Sequence, residues 1–202
     1  VANGINKERQ NYLNDQTVIY VLSESFSDPR KIEGVELTQN PIPNIENVMR
    51  NHTSGQMQSD GYGGGTANME FQTLTGLPFY NISPTVSVLY SDVAPKMQPL
   101  ISISDSFAPK NKEIIHFESK INYSRDVIYN RLDFDKFVSI DDKKEYNVGY
   151  QEIHVSDQST YNAVLKDLNT KQSQFFSVIT MQNHAPFIAG EPSDVTASGK
   201  GF

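Results

Sequence analysis

The sequence predicts an α/β fold on a mostly parallel or mixed sheet, and three observations predict it. Continuous apolar, β-branched runs stand at residues 17–22 (TVIYVL), 113–117 (EIIHF) and 175–181 (FFSVITM). They are the pattern of strands buried on both faces under helices. Segments of helical periodicity lie between them, which gives the strand–helix alternation of this class. Polar and charged residues gather where the runs end, and in open α/β sheets ligands bind beyond the carboxyl ends of the strands.

Taken in order, residues 1–16 are a polar leader rich in Asn, Gln and Lys, with a short helix expected over residues 7–13. The strand at 17–22 exits into Ser23-Glu24-Ser25-Phe26-Ser27-Asp28-Pro29. A loop with Pro41 and Pro43 follows, and Asn44 is expected to cap a helix over 45–51 that carries Ile45, Val48 and Met49 on one face. Residues 54–59 are expected to form a short strand into a glycine loop. A helix over 66–74 then ends at Gly76-Leu77-Pro78. Residues 79–96 are irregular, and a helix or turn is expected over 97–104. After the strand at 113–117 come Glu118, Tyr123 and Arg125, then a short helix over 126–132, with Phe134 and Phe137 packing the next turn. Asp157 is expected to cap a helix over 161–168. The strand at 175–181 opens into Gln182-Asn183-His184-Ala185-Pro186-Phe187. There are no internal repeats, low-complexity tracts or interdomain linkers.

The 202 residues suffice for one domain with a core, supported by ten Tyr and eleven Phe. A net charge of −7 and a pI of about 5.0 argue against a general nucleic-acid binder, which needs a basic face. With no Cys, disulfides and thiolate metal sites are excluded. No run reaches the length of a transmembrane helix. The chain starts at Val1 and stops at Ser198-Gly199-Lys200-Gly201-Phe202 with no closing element, so it is expected to be a piece of a longer protein.

Residues 60–78 (DGYGGGTANMEFQTLTGLP) carry the chemistry. Gly63, Gly64 and Gly65 let the backbone approach a ligand, and Thr66 follows where a helix begins. Unpaired N–H groups and the helix dipole make such an end an anion site. Two readings stand: Thr66 is a nucleophile in phosphoryl-type transfer, or it is an N-cap with Glu70 stabilising the first turn. The stretch is not a P-loop, since no Lys follows the glycines, and it lacks the spacing of a dinucleotide fingerprint. Glu24, just past a buried strand, reads as a metal ligand or as an ordinary loop acid. Glu24, Thr66, Glu118, Arg125 and His184 share placement at strand exits or a helix start. His52 is expected to be exposed, His116 packed or beside the site, and His154 in a polar loop.

Four stretches in compatible order, VIYVLSESF around Glu24, GYGGGTANMEFQTLTGLP around Thr66, HFESKINYSRDVIYNRLDFDKF around Arg125 and TMQNHAPF around His184, carry a family resemblance. Over residues 17–187 the chain resembles the extracellular catalytic domain of lipoteichoic acid synthase and related phosphoglycerol transferases, members of the sulfatase/alkaline phosphatase superfamily. That resemblance implies a three-layer sandwich with helices on both faces of the sheet. It makes residues 17–202 a partial catalytic domain that stops before the downstream metal ligands. It implies transfer of a glycerol-phosphate headgroup from a phosphatidylglycerol-type lipid to an envelope polymer or glycan, through a phosphothreonine. Glu24 and Thr66 would hold one divalent cation, Mn or Mg, with Thr66 also the nucleophile. Glu118, Arg125 and His184 would bind substrate.

The same resemblance implies no nucleic-acid partner, a membrane anchor N-terminal to this chain, and a location on the extracellular face of the cell membrane. There are two departures. Glu118 stands where the family carries Asp, and the family's downstream Asp-His pair has no counterpart, since no Asp-His dipeptide occurs. Half a metal site is therefore expected here, with the chain inactive alone. Phosphoethanolamine transfer, other phospho- or sulfo-ester chemistry of the superfamily, and a non-catalytic binding domain are the alternatives. Sulfatases that convert Cys or Ser to an aldehyde are disfavoured, because Thr66 cannot be so converted.

Overall fold

A computed structural model describes residues 12–61, 65–186 and 195–199. Its elements are β1 (Thr17–Leu22), β2 (Val35–Leu37), α1 (Pro43–Asn51), α2 (Thr66–Thr75), α3 (Leu89–Asp92), β3 (Lys112–Ile115), α4 (Arg125–Arg131), β4 (Lys136–Val138), β5 (Tyr150–Gln151), β6 (His154–Val155), α5 (Asp157–Asp167), β7 (Gln174–Ile179) and β8 (Ala197–Gly199), joined by short 3-10 turns. The chain divides into two units, Val1–Glu24 with Ser59–His184, and Ser25–Gln58 with Ala185–Phe202.

The first unit is built on a parallel sheet of order β1-β7-β3-β4. Successive residues of a strand face opposite sides, and β7 divides accordingly. Phe175 and Ile179 join Ile114, Phe71, Leu89, Tyr90, Ile128 and Tyr129 in a core under α2, α3 and α4. Phe176 and Val178 join Ile115, Val138, Ala163 and Val164 in a second core under α5. Helices thus cover both faces, the three-layer arrangement expected. Because β1 and β7 run parallel in register from Thr17↔Gln174 to Leu22↔Ile179, their exits fall on one edge. Glu24 and His184 follow those exits, which was the placement the strand pattern implied.

The second unit, taken by itself, pairs β2 with β8 antiparallel and contains α1. Arg30 bridges Asp28 at 2.8 Å and Glu46 at 2.6 Å.

Several expectations are corrected. β1 is not buried on both faces: Ile19 and Val21 are 41% and 44% exposed, because β1 lies at the end of the strand order and only its Val18, Tyr20 and Leu22 pack on a core. Residues 54–59 form no strand; their Gly55, Gln56 and Gln58 offer no apolar alternation to bury. Asn44 does not cap α1; the cap is Ile42, with Pro43 in the first turn where its missing N–H costs nothing. Ser156 rather than Asp157 caps α5, accepting from the Ser159 N–H. Phe137 lies in a strand, β4, and not in a turn. The helix expected over 7–13 falls mainly outside the described residues.

At the start of β3 and β4, opposite the carboxyl edge, Lys136 Nζ lies 3.2 Å from Glu113 and 2.9 Å from Asp167. Tyr146 donates to Asp167 at 2.6 Å, and the Lys166 ammonium lies 4.0 Å from the Tyr146 ring centroid. Burial, helped by the neighbouring Asp167, pushes the Glu113 carboxyl up to about 8 from an ordinary 4.5. Burial also raises Asp167, but the Tyr146 and Lys136 hydrogen bonds outweigh it and hold that carboxyl low. Between pH 4.5 and 8 the folded chain therefore holds a proton on Glu113 that the unfolded chain has lost, so this group's contribution to stability falls as pH rises through that window. Glu113→Gln is expected to leave stability near pH 4 unchanged and to raise it at pH 9, by up to about 5 kcal/mol. Urea unfolding across pH checks this; equal effects at both pH values would contradict it.

Candidate active site

The site sits on the carboxyl edge of the sheet, where the parallel strands release their chains. β1 delivers Glu24, which is only 7% exposed. The turn that carries it is anchored to the next strand: Thr180 N–H donates to Leu22 O at 3.1 Å, and Glu24 N–H donates to the Thr180 hydroxyl at 3.2 Å. Thr180 is fully buried.

α2 delivers Thr66. Its cap is Gly65, with no side-chain cap bond, and Thr66 is the first helical residue. The hydroxyl does not close the helix end; it donates to Glu24 Oε2 at 2.6 Å across 42 residues of sequence. The N-cap reading of Thr66 is therefore overturned, because a capping side chain accepts from the helix's own N–H groups. α2 ends where Gly76 takes the left-handed conformation, φ +70°, and donates to Gln72 O.

α4 delivers Arg125, buried at 3% exposure, through an unusual entry. Tyr123 and Ser124 both have φ +58°, a region costly for residues with a Cβ. This turn lays the Tyr123 ring over the Arg125 guanidinium at 5.1 Å. Arg125 donates from Nε and Nη2 to the Glu70 carboxylate. Burial pulls the guanidinium's pKa down, but the Glu70 charge reverses this and holds it above its usual value. Glu70 is buried too, and Tyr129 Oη, 3.3 Å from Glu70 Oε2, also bonds Ser177 Oγ on β7 at 2.8 Å.

β7 delivers His184, exposed in the turn it closes by donating to Met181 O. Its ring meets His154 edge-on at 5.5 Å, so His154, expected in a polar loop, stands on β6 beside it. His116 is 2% exposed behind β3, its Nδ1 3.3 Å from Ile179 O. Burial first, then the charges of Arg125 and His184, push it down to about 3. It is neutral at neutral pH, and a proton on Nδ1 for the carbonyl leaves Nε2 as the lone-pair nitrogen. Glu118 is half-buried on the loop leaving β3 and accepts from the Ser119 N–H at 2.8 Å. No hydrogen bond joins it to the other four among the described residues.

A cavity of about 530 Å³ opens beside the start of α2, lined by Gly65, Asn68, Phe79, Ile82, Val86 and Tyr123 among others. Asn68 builds its wall, donating to Ser87 O at 2.9 Å and accepting from Leu89 N–H at 2.8 Å. All five predicted residues fall in the first unit. Glu24 and Thr66 touch, Arg125 is held by Glu70, His184 stands against His154, and the Glu118 carboxylate accepts within its own loop. Sequence reasoning gave Glu70 only a helix-start role; its spacing of one helical turn from Thr66 was the available signal.

The sulfatase family model matches residues 16–202. The chain belongs to the sulfatase family. Among solved structures, this sulfatase-family chain is similar to the phosphoglycerol transferase GacH of Streptococcus pyogenes, solved in complex with sn-glycerol-1-phosphate: 48% identity, TM-score 0.89, covering 98% of this chain and 52% of that one. The lipoteichoic acid synthase LtaP from Listeria monocytogenes shares the fold, at 20% identity and TM-score 0.60 over 85% of this chain and 42% of that one. A curated relative in Rhizobium meliloti (strain 1021), named "Putative cyclic beta-1,2-glucan modification protein", is 29% identical over 191 residues, 91% of this chain and 28% of the relative. The chain thus spans about half or less of each of these proteins.

A divalent cation, which the superfamily implies, would find two hard oxygen donors here, the Glu24 carboxylate and the Thr66 hydroxyl, already in contact. Among the described residues no group of three or more His, Asp or Glu is placed to hold a metal. The donor chemistry fits, with these two of the ligands a divalent cation takes present among the described residues.

Proposed function

We propose that the protein transfers a glycerol-phosphate headgroup from a phosphatidylglycerol-type lipid to an envelope polymer or glycan, through a covalent intermediate on Thr66. The observation that carries this reading is the 2.6 Å bond from the Thr66 hydroxyl to the buried Glu24 carboxylate at the first residue of a helix. A hydroxyl there faces an electropositive helix end that suits a phosphate, and its proton already has an acceptor. The 48% identity to a phosphoglycerol transferase solved with sn-glycerol-1-phosphate supports the choice of headgroup.

In this reading the Thr66 Oγ1 bonds to phosphorus as its proton passes to Glu24 Oε2. The bond from phosphorus to the lipid glycerol breaks, and His184 protonates the leaving oxygen. Arg125 draws the charge on the phosphoryl oxygens. An acceptor hydroxyl then attacks the phosphorus, its proton is taken up by His184, and the bond to Thr66 breaks as Glu24 returns its proton to Oγ1. Neutral His116 backs Arg125 without competing for its charge. Glu118 contacts the glycerol hydroxyls from its loop. Bound Mn or Mg would lower the cost of the threonine alkoxide and neutralise phosphate charge. The envelope acceptor puts this chemistry at the extracellular face of the cell membrane, where the lipid donor is also within reach.

Two assays test it. Full-length protein given phosphatidylglycerol vesicles is expected to release diacylglycerol; no release with any glycerophospholipid would overturn the reading. In calorimetric titration with Mn, the full-length protein is expected to bind tightly and residues 1–202 alone weakly, since affinity follows ligand number and charge. Tight binding by residues 1–202 that survives Glu24→Gln would show that the ligands are others.

A further inference from the structure

We infer that Glu70 is a positioning residue, which holds the Arg125 guanidinium by one edge so that its other edge faces the phosphoryl group at Thr66. The inference rests on the phosphate-binding role proposed for Arg125 and adds a residue to it. A guanidinium offers two usable edges, the side formed by Nε and Nη2 and the end formed by Nη1 and Nη2. Glu70 takes the side edge, accepting from both Nε and Nη2. Among the described residues, Nη1 makes no hydrogen bond, which leaves the end edge for an anion.

The carboxylate is itself held. It projects from α2 four residues after Thr66, on the same helix face, and Tyr129 Oη ties its Oε2 toward Ser177 on β7. The helix that carries the nucleophile therefore also sets the height and angle of the arginine. The four residues are buried: Glu70 is 4% exposed, Arg125 3%, Tyr129 1% and Ser177 5%. A buried ion pair is a poor source of net stability, since desolvation of both charges opposes their attraction. Its geometry is what it contributes. Tyr123, whose ring stacks on the guanidinium, is itself part of the lining of the cavity beside α2.

The test uses full-length protein and a soluble glycerophosphate ester as donor. Glu70→Gln keeps the side-chain shape but loses the charge and one acceptor; a misaimed guanidinium is expected to lower kcat/KM by about a hundred-fold, with kcat falling as well as KM rising. A merely structural role would lower the melting temperature and leave the kinetics of the folded fraction intact. Guanidinium chloride at millimolar concentration is expected to restore part of the activity of Arg125→Ala and none in the Arg125→Ala/Glu70→Gln double variant, because the carboxylate is what seats the ion. Should Glu70→Gln not fold, Glu70→Asp carries the test: it keeps the charge and shortens the arm, and a loss of about ten-fold or more is expected. Wild-type kinetics in a folded Glu70 variant beside an inactive Arg125→Ala overturn this inference alone, as does equal rescue of the single and double variants. Full activity in Arg125→Ala overturns the role proposed for Arg125, and this inference with it.

Discussion

Thr66→Ala is expected to abolish headgroup release by the full-length protein, by about four orders of magnitude or more, as removal of a covalent nucleophile does elsewhere. Stability is expected to change little. Thr66 is the first residue of α2 and not its cap, so alanine leaves the helix end intact. What is lost is one hydrogen bond to a carboxylate, about 1–2 kcal/mol. Turnover separates the two readings, because loss of a capping threonine would cost a similar amount of stability, about 1 kcal/mol, and leave chemistry alone. Donor turnover and thermal unfolding measured on the same preparation check it. Activity within ten-fold of wild type would remove Thr66 from the mechanism.

Arg125→Leu is expected to give the largest loss of stability of any single substitution in the site. It strips the partner from Glu70, which is 4% exposed and keeps, among the described residues, only the Tyr129 hydroxyl beside it once the guanidinium is gone. An unpaired buried charge costs about 3–5 kcal/mol. Glu70→Leu in the same chain removes that charge, and the double variant is expected to recover most of the loss, since apolar groups of similar volume replace a buried pair at little net cost. Urea unfolding of the two single variants and the double variant measures this coupling. A double variant no more stable than Arg125→Leu would show that the pair is not the source of the effect.

Much of this architecture is legible in the sequence because the strands advertise themselves. Buried runs at β3 and β7 leave no alternative to strands, and the polar residues after them mark the working edge. The shared edge of Glu24 and His184 follows from β1 and β7 being parallel, as expected of such runs. The misplaced burial of β1 has a physical cause: β-branched apolar residues make good strands whether or not both faces are covered, so Ile19 and Val21 read the same exposed as buried. Caps were misread by one or two residues at Asn44 and Asp157, because Pro43 and Ser156 supply the helix start just upstream.

In the site, the glycine-threonine motif and the exit carboxylate were visible as separate features. That they meet was legible only through the family resemblance, which makes both of them ligands of one cation, since a 42-residue separation by itself carries no distance. The Glu70–Arg125 pair was hidden for the same reason. Each residue has a local explanation, helix-start acid for one and surface cation for the other, and only the fold shows both to be buried together. His116 was legible as packed or beside the site and no further, because a histidine inside an apolar run looks like packing.

The central claim is that Thr66 becomes covalently loaded, and mass spectrometry of the enzyme tests it most directly. Full-length protein mixed with phosphatidylglycerol in the absence of acceptor, quenched in acid and digested, is expected to show a glycerophosphoryl group on the peptide containing Thr66, absent from Thr66→Ala. Release of diacylglycerol at full rate with no adduct on that peptide, or with the adduct on another residue, would contradict the account.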